Sequence, residues 1–278
     1  MVTRRHRLAQ RRKALGYTQE QLAEQLGVDR STVIRWEAGA TEPQPFHRPN
    51  LADILKMSAT ELTTAHFAAD QTNDTTLRAD VRTYAALLPL YYGDANEAVR
   101  LARQAQRIAD EEACLTRAVA PAYEAVGLAQ LGAEGISQEA LSIARQQFED
   151  LDTVHRTESV FGFPERRWRF YEGKALSYLG QSEAAWAIHD AALALYPEDV
   201  PGDPALIHFD RAISLICDKQ VAYGCRLAEQ ALLDLPEAHR TDIFLRAARR
   251  VLVAVPSAQR EQSAVRHYRQ TLRQAQKQ

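Results

Sequence analysis

The sequence predicts an all-α fold in which a short helical unit precedes a long series of helix pairs. The 278 residues include only 12 Gly and 11 Pro, too few for a loop-rich or all-β protein. Residues that favour helices, such as Ala, Leu, Gln, Arg and Glu, are abundant throughout. From residue 77 onwards, apolar residues recur at intervals of three and four and stop at Gly or Pro, a pattern typical of packed helices.

Three segments follow from this pattern. Residues 1–63 form the first compact unit, and residues 77–278 form the helical repeat region. Between them, residues 64–76 lose the apolar periodicity and are rich in Thr, Asp and Asn, which is typical of a linker.

Charge is distributed unevenly along the chain. Residues 1–66 hold ten Lys and Arg against seven Asp and Glu, whereas residues 67–278 hold 24 against 29. The first 13 residues contain six cations and no acid. The net charge of −2 therefore does not exclude a nucleic-acid surface at the N-terminal end.

Several classes of protein are disfavoured. No run approaches the ~20 apolar residues of a membrane span, and no signal-peptide core follows the first arginines. The three cysteines lack CxxC spacing, which predicts reduced thiols. HExxH, GxSxG, P-loop and GxGxxG motifs are absent, and the eight histidines lack ligand spacing. We expect a cytoplasmic protein without membrane contact, cofactor, metal or enzymatic activity.

The first unit contains the signals of two helices joined by a tight turn. A first helix over residues 4–15 ends at Gly16, and Thr18 and Gln21 form a capping box for the next helix. Gly27 makes a sharp turn, and Asp29 caps a further helix. This order predicts a helix-turn-helix.

The helix after Asp29 has two different faces when each residue is turned by 100°. Thr32, Val33, Trp36 and Glu37 lie on the side that packs against Leu22, Ala23 and Leu26. The opposite face is expected to reach DNA; it carries Arg30, Ser31, Ile34 and Arg35. Arginines can bind guanine O6 and N7 in the major groove, Ser31 a base or a phosphate, and Ile34 a thymine methyl group.

Glu37 is a carboxylate on the packed side of its helix. The same rotation places Arg12 beside Leu8 and Leu15, on the inward face of the first helix. Because either charge alone would be costly to bury, we expect a structural Arg12–Glu37 ion pair. Outward cations of the first helix are candidate phosphate contacts, or simply a solvated basic face: Arg4, Arg5, Arg7 and Arg11.

The stretch RRKALGYTQEQLAEQLGVDRSTVIRWEAGATEPQP resembles the helix-turn-helix of the phage-repressor or XRE family. The resemblance extends from residue 4 to about residue 62 and implies a five-helix domain. It implies that Gln19 binds a phosphate and supports base contacts, that Arg30, Ser31 and Arg35 read bases, and that Arg12 and Glu37 pair. Proteins of this kind usually bind paired half-sites as homodimers.

The repeat region resembles tetratricopeptide repeats. Over residues 168–197, small residues and a final proline follow that family's spacing at Gly173, Gly180, Ala185, Ala192 and Pro197. Related spacings occur at Ala86, Gly93, Ala98 and Ala105, at Gly127, Gly135, Ala140 and Ala144, and at Ala212, Gly224, Ala231 and Pro236. With a final pair over residues 241–275, we expect an α-solenoid of about five pairs; the alternative is a generic helical bundle.

The combination resembles peptide-sensing regulators of Gram-positive bacteria, of the actinomycete type. It implies a transcriptional regulator whose repeats dimerise and bind a peptide or protein. Possible groove residues are Arg167, Phe170, Lys174 and Tyr178, with ordinary solenoid surface as the alternative. Two other functions stay open: a repeat scaffold whose first domain no longer binds DNA, and an antitoxin-like regulator with a protein partner.

Overall fold

The computed structural model describes residues 8–9, 12–13, 17–38, 69–70, 74–109, 114–157, 162–197 and 200–276. These residues form twelve α-helices and two short 3₁₀ turns, and they contain no strand. Two helices belong to the first unit: α1 (Gln19–Leu26) and α2 (Arg30–Ala38). None of the helices in these ranges is long and apolar enough to cross a membrane. The described part is therefore all-α, as predicted.

The other ten helices follow one another as five pairs. They are α3 (Thr75–Tyr92) and α4 (Ala95–Ile108), α5 (Cys114–Gln130) and α6 (Glu134–Glu149), α7 (Glu165–Tyr178) and α8 (Ser182–Leu193), α9 (Gly202–Cys217) and α10 (Val221–Asp234), α11 (Asp242–Ala254) and α12 (Ser263–Ala275). The two helices of each pair pack together, and the first helix of each pair contacts the first helix of the next. One continuous apolar core runs through all five pairs.

The row of first helices closes on itself, because α11 returns to contact α3. Arg250 on α11 fixes this contact. Its Nη2 donates to the carbonyl oxygens of Leu90 and Tyr91, at 3.1 and 3.0 Å, in the last turn of α3. Its Nη1 lies 3.3 Å from the hydroxyl of Tyr178 on α7. A guanidinium is well suited to such helix ends, whose last carbonyls have no partner within the helix.

Two of the four residues predicted to line a groove, Phe170 and Lys174, are buried instead. Lys174 is only 3 % exposed, and its Nζ binds both carboxylate oxygens of Asp210, at 3.1 and 2.8 Å. Phe170 is 2 % exposed and lies beneath the Lys174 ammonium. Neither side chain is exposed enough to line an open groove. Arg167 and Tyr178 remain half-buried.

Two kinds of glycine explain the spacing of small residues in the repeats. Gly93 and Gly180 end helices with φ angles of 91° and 71°, where glycine is favoured. Gly224 lies instead where α10 crosses α9, and a Cβ there would be 2.6 Å from the carbonyl oxygen of Ala212. Gly135, placed in the same pattern by the sequence, has open space around it. Some glycines of the predicted repeat pattern, such as Gly224, therefore allow two helices to pack closely, and others, such as Gly135, do not.

Residues that the sequence placed in the linker take part in the fold. Asp74 caps α3 by accepting a hydrogen bond from the backbone N–H of Leu77. Asp70 forms an ion pair with Arg82, at 2.8 Å, and Ala69 is buried. The helical part thus begins earlier than residue 77.

We predict that Gly224→Ala destabilises the protein, whereas Gly135→Ala does not. The added methyl group at position 224 meets backbone, and we expect a loss of about 1–3 kcal/mol in the free energy of unfolding. At position 135 alanine meets nothing, and its helix propensity should add about 0.5–1 kcal/mol. Urea denaturation of both variants measures the difference, and equal stabilities would contradict the packing described here.

His189 is a neutral histidine inside the second half of the repeats. It is fully buried, and neither ring nitrogen has a hydrogen-bond partner among the described residues. Burial, together with the positive charges of Arg211 and Lys174, lowers the pKa of His189 to about 3. In the unfolded chain the pKa returns to 6.5, so the unfolded state binds the proton first.

We therefore predict that acid destabilises the folded protein through His189. The stability that the neutral ring contributes is complete above pH 6.5 and is lost as the pH falls towards 3; between pH 6.5 and 5 the loss is about 2 kcal/mol. Unfolding free energies measured across this range should depend less on pH in His189→Gln. The control is His267→Gln, since His267 is exposed. An unchanged pH slope in His189→Gln would contradict the prediction.

Candidate nucleic-acid interface

The first unit has the turn that the sequence predicts between its two described helices. Thr18 accepts a hydrogen bond from the N–H of Gln21, and the Gln21 side chain accepts one from the N–H of Thr18, which completes the capping box. Gly27 ends α1 in the left-handed region, with a φ of 64°. Such a turn lets α2 begin three residues later and cross the preceding helix.

Asp29 starts α2 as a cap. Its carboxylate accepts a 2.6 Å hydrogen bond from the N–H of Ser31. Hydrogen bonds from the side chain and backbone of Ser31 lower the pKa of Asp29. The carboxylate is therefore charged near neutral pH and is used locally, at the positive end of the helix dipole.

The two faces of α2 differ as predicted from the 100° rotation per residue of an α-helix. Val33 and Trp36 are 0 % and 5 % exposed and pack in one cluster with Leu22, Ala23 and Leu26 of α1. The other face is exposed and carries Arg30, Ser31, Ile34 and Arg35. Ile34 is 39 % exposed, which is unusual for an isoleucine and gives this polar face an apolar contact point.

Arg12 and Glu37 form the ion pair expected between the first helix and α2. Arg12 Nε lies 2.6 Å from Glu37 Oε1, Nη2 lies 3.2 Å from Oε2, and both side chains are less than a tenth exposed. The third nitrogen, Nη1, donates to the carbonyl oxygen of Tyr17 at 2.6 Å. Burial alone would raise the pKa of Glu37, but hydrogen bonds from Arg12 and Gln19 and the positive charges of Arg12 and Lys13 outweigh it and lower the pKa.

Gln19 lies at the first position of α1, where the resemblance places a phosphate contact. In the structure its Nε2 donates to Glu37 Oε2 at 2.7 Å. Glu37 therefore connects the first helix, α1 and α2. The sequence identified the charged pair but missed this third partner, because only the assembled fold brings the start of α1 close to the end of α2.

The two exposed arginines of α2 differ in their surroundings. Arg35 Nη2 donates to the hydroxyl of Thr32 at 3.2 Å, one helical turn earlier. Arg30 makes no side-chain hydrogen bond or ion pair within the described residues. The sequence places Thr32 on the packed face of α2 and does not predict its hydrogen bond with Arg35. The predicted phosphate contacts Arg4, Arg5 and Arg11 lie outside the described residues, as does Arg7.

Comparison with known proteins identifies this unit. Residues 8–62 match a family model described as helix-turn-helix, of the XRE type. The match covers the described α1 and α2 and the turn between them. No curated protein and no solved structure matches the chain. The protein therefore contains an XRE-type helix-turn-helix domain, followed by helix pairs that these comparisons do not assign.

We predict that Glu37→Ala opens the domain locally. The variant leaves the buried Arg12 without its counter-ion, which should cost about 3 kcal/mol and speed amide exchange in α1 and α2 about 100-fold. Hydrogen exchange read by mass spectrometry over residues 17–38 measures this. The control is Glu24→Ala, because Glu24 is exposed on α1. If both variants exchange at the same rate, the prediction is wrong, because the Arg12–Glu37 ion pair is then not needed for stability.

Proposed function

We propose that this protein is a sequence-specific DNA-binding transcriptional regulator that places α2 in the major groove. The observation that carries the proposal is the exposed face of α2, whose opposite face is fixed to α1 and to the first helix by an apolar cluster and the Glu37 network. An α-helix fits the major groove, and base edges there present distinct donors and acceptors.

Each exposed side chain has a base-reading chemistry. Arg30 and Arg35 donate paired hydrogen bonds to guanine, Ser31 binds a base or a phosphate oxygen, and Ile34 packs on a thymine methyl group. Thr32 restrains the Arg35 side chain, which reduces the entropy lost on binding. The resemblance adds Gln19 as a phosphate contact, made by the part of its amide that Glu37 leaves free.

The five helix pairs support the proposal that the second part is a tetratricopeptide-like domain for dimerisation. One such DNA-binding unit makes few base contacts, and a homodimer on two half-sites doubles them. A peptide or protein ligand remains part of the proposal. Since Phe170 and Lys174 are buried, Arg167 and Tyr178 are the remaining candidates to contact it.

Replacing the two arginines of α2 tests the function directly. Selection of genomic DNA fragments by the wild-type chain should enrich one common sequence. Arg30→Ala combined with Arg35→Ala should lose that enrichment, because each guanine contact contributes about 1–3 kcal/mol of discrimination. The matched control is Arg107→Ala combined with Arg117→Ala, two exposed arginines of the repeats that have no side-chain partner among the described residues.

No enriched sequence with wild-type protein, or equal enrichment with the α2 double variant, would overturn the proposal. A partner protein that co-purifies at fixed stoichiometry, without DNA enrichment, would favour the scaffold or antitoxin-like function instead.

A further inference from the structure

The last helix pair differs in charge from the rest of the repeats. Residues 67–239 contain 15 Lys and Arg against 27 Asp and Glu, whereas residues 240–276 contain eight Arg against two acids. The C-terminal pair is therefore a strongly basic body on an acidic domain. A polar outer face is expected of a terminal repeat, but a face of one sign is not needed for solubility.

The arginines of α12 lie on one face. Val265, Tyr268 and Leu272 are buried against the preceding helices. Arg266, Arg269 and Arg273 recur at intervals of three and four on the outer side, and no Asp or Glu occurs within the helix. The stripe from Arg266 to Arg273 covers about 10 Å of helix axis, roughly the axial rise of three nucleotides in one DNA strand.

The two ends of this stripe are free to bind a partner. Arg266 and Arg273 are exposed and have no side-chain hydrogen bond or ion pair with the described residues. Arg269, between them, donates to the carbonyl oxygen of Arg260 and lies 4.0 Å from Glu261, itself 81 % exposed. The exposed Gln270 and Gln274 alternate with the arginines and add neutral donors.

We propose that this stripe, Arg266, Arg269 and Arg273, is a second DNA contact that binds backbone phosphates beside the site read by α2. The proposal rests on the proposed function and adds a contact that the helix-turn-helix domain does not contain. Arginines with interspersed amides bind phosphate oxygens without reading sequence. The stripe therefore contributes affinity and positioning, while specificity stays with α2.

The composition of the face favours DNA over an acidic protein. Stable protein interfaces have an apolar centre, and none of the exposed large apolar side chains of the described residues lies on α12. The position of the last helix pair also favours DNA as the partner. The 3₁₀ turn Glu237–His239, directly before the last pair, contacts α1 of the helix-turn-helix domain. The basic pair thus begins beside the domain that we propose to hold DNA.

Salt dependence of binding tests the proposal with the full chain. The probe is a random-sequence duplex of about 40 base pairs, because phosphate contacts do not depend on sequence. Arg266→Gln combined with Arg273→Gln removes two contacts, so the slope of log K against log salt should become shallower by about 1.8. Affinity should fall equally for random duplex and for the duplex selected by the wild type.

The control is Arg107→Gln combined with Arg117→Gln, which changes the net charge equally but should leave the slope within about 0.5 of wild type. Both pairs of residues are exposed, so folding should be retained, and thermal unfolding checks this.

If the wild type binds neither duplex, the proposed function fails and this inference fails with it. If the wild type binds and both double variants have the same slope, only this inference fails. A co-purifying acidic protein, lost in Arg266→Gln/Arg273→Gln without a change of slope, would make the stripe a protein-binding surface and overturn the DNA assignment.

Discussion

Three separate parts of the DNA-binding unit meet at the carboxylate of Glu37. Arg12 brings the first helix to it, Gln19 brings the start of α1, and Glu37 itself belongs to α2. A buried carboxylate is stable only with such partners. The cluster around Val33 and Trp36 drives the helices together, whereas the charged network fixes their angle. The cluster and the Glu37 network hold one face of α2 against the domain, so its exposed side chains lie on the opposite face.

The repeat region is held by a comparable buried contact. Arg250 ties the last pair to the end of α3, and the buried ion pair of Lys174 with Asp210 joins α7 to α9. Paired charges there satisfy one another, so Lys174 is not available to a partner among the described residues. The surfaces exposed to partners are the outer faces of the helix pairs. Among them, the outer face of α12 carries arginines and no acidic residue.

Features that depend on residues close together in the chain could be predicted from the sequence. The contact between α11 and α3, which lie far apart in the chain, could not. The cap of Thr18, the turn at Gly27 and the two faces of α2 depend on neighbours within seven residues, so periodicity and residue type were sufficient. The Arg12–Glu37 ion pair could be predicted because both charged residues lie on inward faces of their helices. The ion pair that buries Lys174 joins it to Asp210 on the first helix of the next pair, and the contact of α11 with α3 joins residues 160 positions apart in the chain. The repeat pattern of small residues carries no information about that contact.

The central claim is that α2 lies on DNA bases while the repeats do not. Site-specific photocrosslinking tests it most directly, with a photoreactive residue at Ile34 and, for comparison, at Leu131 on the repeats, which is 45 % exposed. With the selected duplex bound, the account predicts crosslinks from position 34 to bases within the selected sequence, and none from position 131. Crosslinks from position 131, or none from position 34 while the duplex is bound, would contradict it.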